Sequence, residues 1–196
     1  MDANKHIKWK FRVKGLSVIP YTGWLDSTRD DLAEIFHDLG YKTGAEIGVR
    51  WGEYSEILLK KNPGLKLFCI DPWIPYSGAS VSQDRQNRIF RRAVKVLSPY
   101  GATVIRKASM EALADIPDES LDFVYIDALH DFDHVMEDII GWSKKVRRGG
   151  IVSGHDYTNL HGCGVIPAAQ AYTRGHTILE WYVTRETLPS FFWVKQ

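Results

Sequence analysis

The chain has 196 residues, 44% of them apolar and 25% charged, enough to bury one core without calling for a second domain. Lys and Arg total 25 against 24 Asp and Glu, so a net charge of +1 gives no global footprint for nucleic acid. Two cysteines exclude a disulfide framework and fit a reducing, cytoplasmic setting. No run of 18 apolar residues is present, so no membrane span is expected. The basic N-terminus also lacks the apolar stretch and cleavage site of a signal peptide.

Residues 1 to 26 mix basic and aromatic side chains with breakers at Pro20 and Gly23 and read as an irregular lead-in that covers the mouth of a site. Residues 27 to 196 read as a single domain. Ser27-Thr28-Arg29-Asp30 has the form of a capping box with Asp30 as the returning acid. Leu32, Ile35, Phe36 and Leu39 then give a helical stripe that Gly40 stops. Thr43 to Ile47 is a buried strand followed by a helix from Tyr54 to Lys60. A second strand, Leu65 to Ile70, ends at Asp71-Pro72, and a helix runs from Asp84 to Leu97. On that helix Arg85, Arg88, Arg91, Arg92 and Lys95 lie close together, a grouping whose ordinary reading is a solvated face.

Ala102 to Arg106 is a third strand and Leu121 to Ile126 a fourth. Phe132, Val135, Met136, Ile139 and Ile140 then mark the apolar face of a helix, and Gly149 to Gly154 is a fifth strand. Strands alternating with helices imply right-handed crossovers and a mainly parallel sheet covered on both faces. Thr177 to Val183 and Ser190 to Val194 are separated by a link too short for a crossover helix, so they are expected to be antiparallel neighbours.

The chemistry is concentrated after the strands. Glu46-Ile47-Gly48-Val49-Arg50-Trp51-Gly52 is an acid-x-Gly-x-x-x-Gly turn opening a helix, where Gly48 and Gly52 permit close approach of a ligand. It is not the Gly-x-Gly-x-x-Gly of pyrophosphate-binding dehydrogenases. Asp71, 25 positions after Glu46, suits an acid that accepts from ribose hydroxyls, with Trp73 as an apolar wall. Ser109 and Met110 would flank an adenine, although Ser109 serves equally as a plain helix cap. Asp127 and His130 follow the fourth strand, and His155 and Asp156 the fifth. Both pairs face the crevice in which open α/β sheets bind ligands.

With Glu46 to Gly52, Cys69-Ile70-Asp71-Pro72-Trp73, Ile126-Asp127-Ala128-Leu129-His130 and Gly149 to Tyr157 in this order, the chain resembles the class I S-adenosylmethionine-dependent methyltransferases. Within them it is similar to small O-methyltransferases of macrocin and catechol type. The resemblance implies a Rossmann-like, doubly wound, seven-stranded sheet, mostly parallel, with an antiparallel C-terminal strand. It also implies transfer of a methyl group from S-adenosylmethionine to a hydroxyl of a small molecule. Glu46, Gly48, Gly52, Asp71, Trp73, Ser109, Met110 and Asp127 would hold the cofactor. His130, with its ordinary pKa near neutrality, would be the base, acting with Asp127.

In metal-dependent members the strand ends carry acidic ligands, which here match Asp127 and Asp156, with Mg²⁺ as the expected ion. His155 stands where those enzymes often carry a further carboxylate. Three arrangements therefore stay open: Mg²⁺ with more water, no metal, or a softer ion on His155, Asp156, His161 and Cys163. A nucleoside-binding module without turnover, a nicotinamide oxidoreductase and a nucleic-acid methyltransferase are the rival functions. The expected partner is a small-molecule acceptor, with neither nucleic acid nor membrane, and homo-oligomerisation is left open.

Overall fold

The structure, a computed structural model, describes residues 2–13, 21–22, 27–76, 81–160 and 162–196. In chain order its elements are α1 (Ala3–Lys10), β1 (Tyr21–Thr22), α2 (Arg29–Asp38), β2 (Thr43–Ile47), α3 (Glu53–Lys61), β3 (Lys66–Ile70), α4 (Gln83–Leu97), β4 (Thr103–Ile105), α5 (Ser109–Ala112), β5 (Leu121–Ile126), α6 (Phe132–Lys145), β6 (Val146–Gly154), α7 (Val165–Gly175), β7 (Trp181–Val183) and β8 (Phe191–Val194). The strands form one sheet in the order β1-β7-β8-β6-β5-β2-β3-β4. All pairings are parallel except those of β8 with β6 and β7. The seven strands expected from the sequence are present, and β8 is inserted beside β7. The two-residue β1 adds an eighth at the edge.

Strand order reverses between β2 and β5, so the chain leaves these neighbours in opposite directions and opens a crevice beyond their carboxyl ends. Alternation builds the two faces. Leu67, Cys69, Phe123, Tyr125 and Phe192 pack with α1, α2, α3 and α4, whereas Val124, Ile126, Val152, Phe191 and Trp193 pack with residues of α5, α6 and α7. Gly44 is bare because a Cβ there would lie 2.2 Å from the Phe123 ring.

Several local expectations are corrected. The N-terminal segment is not wholly irregular: α1 is capped by Asp2, which accepts from the Lys5 amide, and it places Ala3, Ile7 and Phe11 in the core at i, i+4 and i+8. Phe11 meets Phe192 at 5.8 Å, and Lys10 pairs with Asp38 at 2.8 Å. Pro20 and Gly23 lie outside the described residues. The capping box of α2 is shifted by one residue: Thr28 is the cap, and its amide donates to Asp31 at 2.8 Å. On α6 the buried residues include Val135, Ile139 and Trp142. Phe132 and Ile140 are exposed because the helix turns a narrower stripe to the sheet and α7. Helix α7 falls between the fifth strand and Thr177, where no element is expected from the sequence.

Candidate active site

The turn after β2 is shaped by its backbone. Gly48 (φ +91°), Arg50 (φ +50°) and Gly52 (φ +82°) all have left-handed conformations, and Gly52 is the N-cap of α3. A Cβ at Gly48 would sit 1.9 Å from the carbonyl oxygen of Asp127, so this glycine lets the ends of β2 and β5 lie side by side. The Gly48 amide donates to Ile70 O at 2.8 Å, and the Asp127 amide to Ile47 O at 2.7 Å.

Asp71 locks the end of β3 to this turn. One carboxylate oxygen accepts from the Arg50 amide at 2.9 Å and the other from the Trp73 amide at 2.7 Å. The group is half-buried, and burial pushes its pKa up against these hydrogen bonds. The Val49 amide is also directed at the carboxylate, which keeps capacity for a further donor.

Three residues assigned to cofactor contact are placed elsewhere. Glu46 turns from the crevice into the α3 side of the sheet and accepts from the Ser55 hydroxyl; burial raises its pKa to about 8. Trp73 is 1% exposed, donates its indole N–H to Arg50 O at 2.9 Å and packs on Phe90, so it braces the turn from behind. Ser109 donates to Asp138 and accepts from the Trp142 indole at 2.8 Å, which ties α5 to α6. Met110 is exposed beside it. In each case a packing demand of the helix layers claims a side chain that spacing alone assigned to the ligand.

The pairs after β5 and β6 do converge. His130 Nε2 lies 3.4 Å from Asp127 Oδ1 and 3.1 Å from Asp156 Oδ2. His155 Nδ1 lies 3.6 Å from Asp127 Oδ2 and 3.3 Å from Asp156 Oδ1. Two carboxylates and two imidazoles thus form a closed ring at the ends of adjacent strands. Asp156 reaches it through a left-handed φ of +53°. The loop after β6 holds His130 from below: the Gly164 amide donates to His130 O at 2.6 Å. A Cβ at Gly164 would lie 2.1 Å from the Phe132 amide nitrogen.

The electrostatics follow from the ring. Burial opposes ionisation of Asp127, but hydrogen bonds from His130 and His155 hold its carboxyl well below the usual range. The hydrogen bond to Asp127 and the charge of Asp156 raise the pKa of His130. His155 loses hydration on burial, yet its two carboxylate partners raise it to about 9.

Donor atoms of Asp127, His130 and Asp156 lie within 4.8 Å of one another, a span that one ion could bridge. The metal set expected from the sequence is therefore modified: His130 joins the two acids, while His155 bridges them from behind. The set fits a divalent ion, and its single imidazole nitrogen departs from the all-oxygen shell that Mg²⁺ prefers. His161, the residue suggested for a softer ion, lies outside the described residues. Cys163 is directed to Asp156 O at 3.5 Å instead.

Sequence reading missed the support behind the ring. Tyr125 shares a strand face with Asp127, a period-two signal that was available. Its ring lies 6.2 Å from His155 and 4.3 Å from Tyr54, over which the Arg29 guanidinium stacks at 4.9 Å. Tyr125 and Ser190 share a 2.8 Å hydrogen bond. Glu186 accepts from the Arg29 amide at 2.8 Å, and so ties the β7–β8 link to α2.

A doubly wound sheet whose switch-point crevice carries a glycine turn on one side and paired acids on the other defines a class I methyltransferase fold. The chain belongs to the methyltransferase domain family whose model matches residues 45–157. An uncharacterized protein of Sinorhizobium fredii is 25% identical over 153 residues, covering 74% of this chain and 16% of that protein. Among solved structures, the O-methyltransferase from Bacillus cereus in complex with SAH superposes with a TM-score of 0.61 at 12% identity, covering 100% of this chain and 91% of that one. A putative rRNA-methylase from Clostridium thermocellum superposes at 0.63 with 10% identity, covering 88% and 99%. These likenesses establish the fold.

Proposed function

We propose that the chain transfers the methyl group of S-adenosylmethionine to a hydroxyl of a small molecule such as a sugar or secondary metabolite. The observation that carries this reading is the convergence of Asp127, His130 and Asp156 beside the switch point. An acceptor hydroxyl needs its proton removed and its oxygen aimed, and these residues can do both.

The residues present fit the cofactor. Asp71 retains lone pairs for ribose hydroxyls, and the Gly48–Gly52 turn offers backbone at close approach. Exposed Ile74, Tyr76, Met110, Leu129 and Leu160, on segments after successive strands, provide an apolar rim. When bound, the cofactor supplies a methyl group on a sulfonium, a leaving group that needs no protonation. His130 then takes the acceptor proton, its basicity raised by the two carboxylates that face Nε2. Asp127 and Asp156 hold the imidazole in place and stabilise the charge it gains, while His155 holds the acids from behind and Tyr125 backs the His155 ring. A divalent ion such as Mg²⁺ would be held by Asp127 and Asp156, leaving His130 as the base, and would supply positive charge that lowers the pKa of the hydroxyl. A cytoplasmic setting suits the two free thiols. Among the described residues no helix is long and apolar enough to cross a membrane.

The test is transfer of radiolabelled methyl to a panel of catechols and sugar hydroxyls, with and without chelator. His130→Ala should lower kcat by roughly 10²- to 10⁴-fold. Loss of turnover in chelator with recovery in Mg²⁺ assigns the ion. Full activity of the double variant Asp127→Asn/His130→Ala would overturn the site.

A further inference from the structure

Charge on this molecule is unevenly placed. Helix α4 carries Arg85, Arg88, Arg91, Arg92 and Lys95 against one acid, Asp84, giving +4 on a chain of net +1, so the remainder is net −3. At 100° per residue the five cations span an arc of about 120°, opposite the arc of Gln86, Ile89, Ala93 and Leu97 that faces the core. All five are exposed, and among the described residues none forms an ion pair. Elsewhere on the surface Lys10, Lys60, Lys61, Lys107 and Lys145 each contact a carboxylate, while unpaired cations among the described residues, such as Lys42, Lys144, Arg148 and Arg174, are not gathered into a stripe of five.

We propose that this stripe binds the phosphodiester backbone of single-stranded RNA. From Arg85 to Lys95 it runs about 15 Å, the length of two to three phosphates along an extended strand. Four of its five cations are arginines, whose planar forks match phosphate oxygens. Arg92 is stacked over the half-buried Trp51 ring at 5.4 Å, which restrains its fork. The stripe also has a direction: Gln83, two residues before Arg85, donates to Trp73 O at 2.9 Å, so the N-terminal end of α4 adjoins the loop after β3. An anionic bilayer is the poorer match, because Val94 is the only exposed large apolar side chain on the helix. The inference concerns what the domain holds rather than what it methylates, and it does not depend on the proposed reaction.

The test is fluorescence anisotropy of a labelled 20-nucleotide single-stranded RNA across a salt series, using the intact chain. Two to three phosphate contacts predict a slope of log K against log salt of about −1.4 to −2.1, at about −0.7 per contact. Arg88→Gln/Arg92→Gln should flatten it to about −0.7 or shallower, whereas Lys144→Gln/Arg148→Gln, the same charge removed from another surface, should leave it unchanged. Far-UV circular dichroism checks that both variants are folded. No RNA binding at low salt, equal loss in both variants, or binding to phosphatidylserine vesicles in preference to RNA would each overturn the proposal.

Discussion

Replacing Gly48 with alanine tests the claim that the ends of β2 and β5 are held in register by the absence of a side chain. The added Cβ would lie 1.9 Å from Asp127 O, 2.4 Å from Asp127 C and 2.8 Å from Ala128 Cα, all backbone atoms. Reaching ordinary contact near 3.4 Å requires a separation of about 1.5 Å, which stretches the 2.7 Å bond from the Asp127 amide to Ile47 O. Left-handed strain contributes about 1 to 2 kcal/mol, the hydrogen bond about 1, and overpacking about 1 to 3. The expected loss is therefore about 3 to 6 kcal/mol, a fall in Tm of about 6 to 24 °C for a domain of this size. Gly64→Ala is the control: Gly64 has φ +81°, but a Cβ added there would meet nothing within 4 Å, so this variant isolates the strain. Thermal unfolding by circular dichroism reads both. Equal destabilisation of the two variants would refute the close-approach reasoning.

Glu46→Gln probes the buried carboxyl. With a folded pKa of about 8 against an ordinary value of 4.5, wild type binds more protons folded than unfolded between these values, so its stability falls as pH rises through that window. The glutamine variant lacks that slope and should gain a few kcal/mol relative to wild type by pH 8, measured by urea unfolding; parallel stability curves would contradict the assignment. Ser109→Ala strands the Asp138 carboxyl and the Trp142 indole and should cost about 1 to 3 kcal/mol. Its affinity for S-adenosylhomocysteine should stay unchanged in calorimetry, whereas an adenine contact would weaken it.

Much of the fold was legible because the strands are short apolar runs punctuated by Gly, Pro or Asp, and because the seven-residue link before β8 forbids a crossover. The paired acids and histidines were legible for the same reason: a residue directly after a parallel strand faces the crevice. Helix α1 was obscured by Lys5, Lys8 and Lys10, which hide the Ala3, Ile7 and Phe11 stripe. Glu46 was misplaced because strand alternation, which directs its side chain to α3, was given less weight than its distance from the glycines. Trp73 and Ser109 lie in the right turns, but their direction is set by Phe90, Asp138 and Trp142, partners remote in sequence.

Calorimetric titration with S-adenosylhomocysteine and, separately, NAD tests the central claim most directly. Saturable binding of S-adenosylhomocysteine is expected, weakened about 10- to 100-fold by Asp71→Ala through loss of charged hydrogen bonds, with no heat from NAD. Tight binding of NAD with no response to S-adenosylhomocysteine would contradict it.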